Sequence, residues 1–261
     1  MDQPQSAAGG AGRIHINSVD LSAPFRWLGQ GWVDLWRAPG PCLVYGLALA
    51  AFSTWICYAL YIFNAAFWVL TLTLGFVFVA PMLAMGLYEA GRRIEAGERP
   101  RLRDMILVRQ AVRQDTFYLG LALLLIYLLW GRVAQIVYGL NTFSLQHTTA
   151  DFIAFALNTK GGHTMLLVGT IIGGVFALLT YALVVVSAPM LLDTRVNVFS
   201  AAAASFRALD RNTAPLLLWA ILLVALLLIS AATGFTAFII VFPWLGLASW
   251  RAYRDLVTLE D

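Results

Sequence analysis

Charge is what this sequence has least of. Aspartate, glutamate, lysine and arginine make up 12% of its 261 residues, where a soluble domain carries about a quarter. With 61% apolar residues and a mean hydropathy of +0.78, the chain cannot cover its core with polar surface in water. A bilayer is the solvent that fits. Cysteine occurs twice, at Cys42 and Cys57. On one helix that spacing separates them by more than roughly 20 Å, beyond disulfide reach, so they read as small buried hydrophobes. Lysine occurs once, at Lys160, and histidine three times. The apolar segments carry no aspartate, glutamate, histidine or lysine near their centres. Proton-coupled transporters and intramembrane hydrolases need such groups, so the sequence weighs against both while leaving ion sites built from carbonyls open. There is no P-loop, dinucleotide fingerprint, HExxH or CxxC. The net charge of +3 fits the basic loops of a membrane protein better than a nucleic-acid partner.

What the chain does have is long apolar runs. Six lie near 41–62, 66–88, 117–138, 165–188, 214–233 and 235–251, and most approach the roughly 20 residues that cross the hydrocarbon layer. The last two share a turn at Thr233–Gly234 and are the shortest. Residues 1–13 read as a disordered Gly/Ala-rich arm, 14–257 as the membrane domain and 258–261 as a tail. The first 40 residues hold no apolar signal-peptide run, so the first span is expected to direct insertion. Ahead of it, Phe25, Leu28, Trp32, Leu35 and Trp36 recur at helical spacing, which predicts an amphipathic helix in the membrane interface.

The arginines set the topology. Fifteen of the 17 cationic residues fall in the segment before span one, the connections 2–3 and 4–5, and the C-terminal segment; only Arg132 and Lys160 fall elsewhere. By the positive-inside rule, both termini are expected in the cytoplasm. On that topology three similar stretches, "VAPML", "SAPML" and "VFPWL", place Pro81, Pro189 and Pro243 near the cytoplasmic ends of spans two, four and six. A proline removes a backbone donor and kinks its helix, and the freed carbonyl needs another partner; Ser187 is a candidate beside Pro189. An interfacial stretch precedes each hairpin, meeting Arg37, Arg113 or Arg211. The expected fold is therefore all-α: a polytopic membrane protein with six transmembrane helices as three hairpin-like repeats with cytoplasmic interfacial helices. The middle unit is longer by the outer segment 139–164, in which "ADFIAFAL" predicts a short capping helix. In the connection after span two, the helix is expected to run to Ala96 and end at Gly97, with Pro100 breaking the chain and Asp104 starting the next helix.

Candidates for chemistry are few. Arg132, next to Trp130 near the outer end of span three, either snorkels to the headgroups or binds an anionic group between helices. Tyr181 and Thr180 are the polar residues that would line a transport path with it. His147 and His163 flank the outer cap with Asp151 between them, a set that reads as solvated loop residues rather than a metal site. Gly169, Gly173 and Gly174 mark a close-packing face of span four. An enzyme acting on lipid headgroups would gather groups such as Glu89 and Asp193 with nearby arginines at one leaflet.

The segments "SAPFRWLGQGWVDLWRAPGPCLVYGL", "APMLAMGLYEAGRRIEAGERPRLRD", "VVSAPMLLD" and "SWRAYRDLV" resemble the bacterial integral membrane family catalogued as domain of unknown function 2189, over roughly residues 14–257. The resemblance implies a polytopic protein of the bacterial inner membrane and names no activity. Some relatives bear a cytochrome c oxidase subunit I label. A haem-copper catalytic subunit needs about six intramembrane histidines, which this chain lacks. The expectation is a non-enzymatic scaffold or assembly factor without catalytic residues, cofactor or metal, with a small-molecule transporter or permease as the alternative. Membrane lipids, other membrane proteins or further copies of the chain are the expected partners.

Overall fold

The computed structural model describes residues 13–63, 75–76, 78–142 and 149–260. The arm up to residue 12, most of the outer half of the second apolar run, and His147 lie outside the described residues.

Helix α1 (Ala23–Arg37) starts on a proline in its first turn, where a missing N–H costs nothing. Ala38 interrupts it, and α2 (Pro39–Ile62) begins immediately, again on proline. Residues 78–83 are helical and lead through a turn at Ala84 into α3 (Met85–Glu95). Gly97 then adopts φ +77°, the left-handed conformation that ends a helix cheaply only at glycine. After Pro100 comes α4 (Leu102–Ile106), whose Asp104 carboxylate accepts the Arg101 N–H at 3.2 Å. The stop at Gly97 and the restart around Asp104 fall where the sequence puts them, but the helix expected to run unbroken from span two to Ala96 is interrupted at Ala84 and closes at Glu95.

A 3-10 turn (Arg109–Val112) enters α5 (Gln114–Asn141). The short helix expected in 139–164 is α6 (Thr149–Asn158), followed by α7 (Lys160–Val184), α8 (Ser187–Asp193), α9 (Val198–Arg211), α10 (Thr213–Ala232) and α11 (Phe238–Leu256). Thr159 caps α7 by accepting the Gly162 N–H at 2.9 Å, and Asn197 caps α9 through the Ser200 N–H at 2.8 Å.

Four described helical stretches are long and apolar enough to cross a membrane: Pro39–Ile62, Gln114–Asn141, Lys160–Asp193 and Thr213–Ala232. They point bulky apolar side chains outward, among them Leu125 and Leu129 on α5, Ile171 and Leu179 on α7, and Ile221 and Leu228 on α10. Surfaces of that kind are stable against lipid tails and not against water.

The sixth expected span, near 235–251, is not among these four stretches and corresponds to α11. Its apolar residues Phe238, Phe242, Leu245 and Leu247 are buried in protein, and its last two turns carry Arg251, Arg254 and Asp255. It packs on α1, α2, α3 and α10, so it is the central post of the fold rather than a lipid-facing span. Nor is the chain entirely helical. Strand β1 (Arg13–Ile16) pairs antiparallel with β2 (Val257–Glu260), Ile16 opposite Val257, joining the edge of the expected arm to the expected tail.

The three prolines also differ from one another. Near Pro81 the helix breaks at Ala84, and the Tyr45 hydroxyl donates to the Leu83 carbonyl at 2.6 Å. Near Pro189 the break falls at 185–186. There the Ser187 hydroxyl donates to Leu183 at 2.5 Å, and the buried Ser205 oxygen accepts the Val186 N–H at 3.2 Å. Ser187 thus serves a carbonyl freed by the break rather than the one four residues before the proline. Pro243 stays inside a continuous helix. The carbonyl it deprives, that of Ile239, rests against Gly46 of α2, where a side chain would collide with it.

Candidate functional site

The polar chemistry of the described residues concentrates at the arginine-rich end. Helix α1 brings Asp34 there on its packed face, beside Gly31, whose missing side chain lets the α11 backbone approach: a Cβ would stand 2.7 Å from the Ala248 nitrogen. Asp34 is only 1% exposed. Its oxygens accept Arg251 Nε at 2.6 Å and Arg251 Nη2 at 3.0 Å, a two-pronged contact, and Arg37 Nη1 at 3.1 Å. Near the start of α1, the Trp27 indole donates to Asp255 at 2.9 Å and meets the Trp219 ring edge-on at 5.7 Å.

A second group joins α3, α8 and α11. The buried Glu89 carboxylate accepts Arg92 twice at 2.8 Å and Arg93 at 2.7 Å. Six residues on, Glu95 accepts the Trp250 indole at 2.9 Å and Arg254 at 3.0 Å. Asp193, closing α8, accepts the Tyr253 hydroxyl at 2.9 Å and Arg254 at 3.4 Å. Gly91 and Gly246 make room for the Trp250 and Leu87 side chains. A third group holds the termini: Asn212 accepts the Val19 N–H and donates to the Asn17 carbonyl, both at 2.8 Å.

The electrostatics are those of a clamp. Hydrogen bonding to Glu89 raises the pKa of Arg92 and Arg93, and hydrogen bonding to Asp34 raises that of Arg251. Burial, with the Asp193 charge adding to it, pushes the Tyr253 phenol far above its ordinary value. Glu89 and Asp193 do gather with arginines at one end, as a headgroup enzyme would require. Yet among the described residues every buried carboxylate is already gripped by arginine, and none is left as a base facing a cleft.

The residues singled out from sequence do not converge. Arg132 is exposed and donates to Gln135 on its own helix at 3.2 Å. Trp130, two residues before it, is buried, facing Gly173 and lying 6.2 Å from the Phe176 ring; its indole N–H has no partner among the described residues. Tyr181 donates to the Leu216 carbonyl at 2.7 Å, tying α7 to α10, and the buried Thr180 hydroxyl has no partner among the described residues. His163 contacts the Leu157 carbonyl at 2.7 Å and His15 lies in β1, while no group of three potential metal ligands occurs among the described residues.

A cavity of about 270 Å³ opens between α2, α10 and the start of α11. Its lining is apolar apart from Ser53, Cys57 and Tyr127, and it includes none of Arg132, Thr180 or Tyr181. The pairs Asp34–Arg251 and Glu95–Arg254 were not legible as pairs, being 217 and 159 positions apart. The one available signal was Asp34 itself, a carboxylate on the packed face of an amphipathic helix.

Residues 69–193 match the model of a family described as Predicted integral membrane protein (DUF2189), which bears out the resemblance over that stretch. No curated protein and no solved structure gives a significant match.

Proposed function

We propose that this integral membrane protein is a non-enzymatic scaffold of a bacterial inner membrane, with its arginine-rich end and both termini inside the cell. One observation carries the reading: the packed carboxylates at that end are taken up by arginines, an indole and a phenol. Asp34, Glu95 and Asp193 cross-link α1, α3, α8 and α11 into a single block, Glu89 is held by Arg92 and Arg93 of its own helix, and among the described residues no unpaired carboxylate stands at the centre of a cleft. Such a block presents helix faces in fixed relation, which is what an assembly factor for other membrane proteins requires. The exposed aromatic edge of α1, where Trp32 meets Trp36 at 5.6 Å and Trp244 at 5.2 Å, is one such face.

A permease for an apolar solute is the second reading, favoured by the cavity beside α2. A polar solute would need a hydrated path, and the lining offers little to replace its water. Flux through proteoliposomes separates the two. With anionic, cationic, neutral and lipophilic dyes, the scaffold reading expects leakage equal to that of protein-free vesicles. Saturable flux that is abolished by Ser53→Trp, which fills the cavity, would replace it with the permease.

A further inference from the structure

Carboxylates at the arginine-rich end are consumed by Arg26, Arg37, Arg92, Arg93, Arg251 and Arg254. A different set is left over. Among the described residues at that end Arg99, Arg101, Arg103, Arg109, Arg195, Arg207 and Arg211 are exposed and form no ion pair. The fold brings two of the segments that carry them to one joint. Arg113, just past the 3-10 turn, donates to the Thr194 carbonyl at 2.7 Å, and Asp115 accepts the Val198 N–H at 3.0 Å. These bonds fix the turn against the start of α9.

On either side of the joint stand Val112, 85% exposed, and Phe199, 82% exposed. Phe206 follows two turns along the outward face of α9, whose opposite face buries Ala201, Ala204 and Ala208. The place of the joint follows from the chain. Val112 lies two positions before α5 begins, and Phe199 lies six positions after the span Lys160–Asp193 ends. Both thus lie just beyond stretches long and apolar enough to cross a membrane. Tightly anchored apolar side chains beside unpaired guanidinium groups there match one kind of partner. The outward face of α9 carries only Asp210 as counter-charge, so the surplus is positive.

We propose that this joint is a binding surface for anionic phospholipid, with Val112, Phe199 and Phe206 entering the acyl boundary and Arg109, Arg195 and Arg207 receiving the headgroup phosphates. The surface selects charge in the leaflet around it, so the block of cross-linked helices is held at a fixed depth. The inference rests on the membrane reading and not on the scaffold role.

The test uses the full chain in detergent, with phosphatidylglycerol or phosphatidylcholine added and retained lipid counted by native mass spectrometry. The wild type should favour the anionic lipid. Each Arg→Gln change at 109, 195 or 207 should cut that preference about fivefold, the equivalent of ~1 kcal/mol per arginine near a charged surface. Equal retention of both lipids, or an undiminished preference in the triple variant, would overturn the proposal. Depth is read separately with a nitroxide at Phe199→Cys in a chain carrying Cys42→Ala and Cys57→Ala. Relaxation dominated by oxygen supports insertion; relaxation dominated by an aqueous nickel chelate refutes it.

Discussion

Removing Arg251 should unlock α1 from the rest of the molecule. Arg251→Met keeps most of the side-chain stem in place but leaves Asp34, 1% exposed, with only the single contact from Arg37. Breaking a buried pair by deleting one partner typically costs about 3–5 kcal/mol, because an uncompensated charge stays behind. Asp34→Asn is the milder change. Its orphan is a guanidinium whose side chain is 19% exposed and reaches solvent, so a cost near the low end, about 3 kcal/mol, is expected. Arg37→Gln removes a partner that is 58% exposed and should cost no more than about 1 kcal/mol. The expected order of destabilisation is thus Arg251→Met, Asp34→Asn, Arg37→Gln. Unfolding in mixed micelles by a graded denaturing detergent, followed by tryptophan fluorescence, measures all three. The double variant D34N/R251M should be more stable than the sum of the single changes implies, by about 2 kcal/mol or more for groups in direct contact. Additivity within about 0.5 kcal/mol, or equal costs for Arg37→Gln and Arg251→Met, would refute the claim that this pair fastens α1 to α11.

Gly46→Ala should cost about 1–3 kcal/mol, since the new methyl meets the Ile239 carbonyl and, at 2.7 Å, the Pro243 ring. Gly174→Ala, with nothing within 4 Å, should instead stabilise by roughly 0.5–1 kcal/mol; paired melts in one detergent compare the two, and equal effects would remove the argument from close approach. Tyr253 stays neutral in the folded state well above its ordinary pKa, whereas the unfolded chain releases that proton above about pH 10. Its contribution is complete below that pH and declines as pH rises further, so Tyr253→Phe should flatten the alkaline loss in a stability-against-pH series. Reporter fusions after Gly97 and within 149–158 should score as cytoplasmic and external, respectively; the reverse result would overturn the proposed orientation.

Several features were legible because they are local. The stop at Gly97 needs only a glycine that accepts φ +77°, and the cap α6 needs only an apolar run bounded by polar residues. The outward leucines of α5 and α10 follow from composition alone, since helices apolar all round belong in lipid. Other features were hidden because they are relations. Phe238–Leu256 reads as one more short span until α1, α2 and α3 are seen to cover it. Strand β2 is four residues long, too short for a period to show, and its partner lies at the other end of the chain. Pro81, Pro189 and Pro243 look alike in sequence, yet a tyrosine hydroxyl, two serines and a glycine face meet the needs of their neighbourhoods in three different ways.

The sequence by itself determined the solvent, the helical class and where positive charge collects, because each depends on sums over a segment that no neighbour can alter. Only the tertiary structure decided which arginines are spent and which are left over. Pairing depends on which carboxylate comes within about 3 Å, and that is set by the packing of α11 against helices far away in the chain.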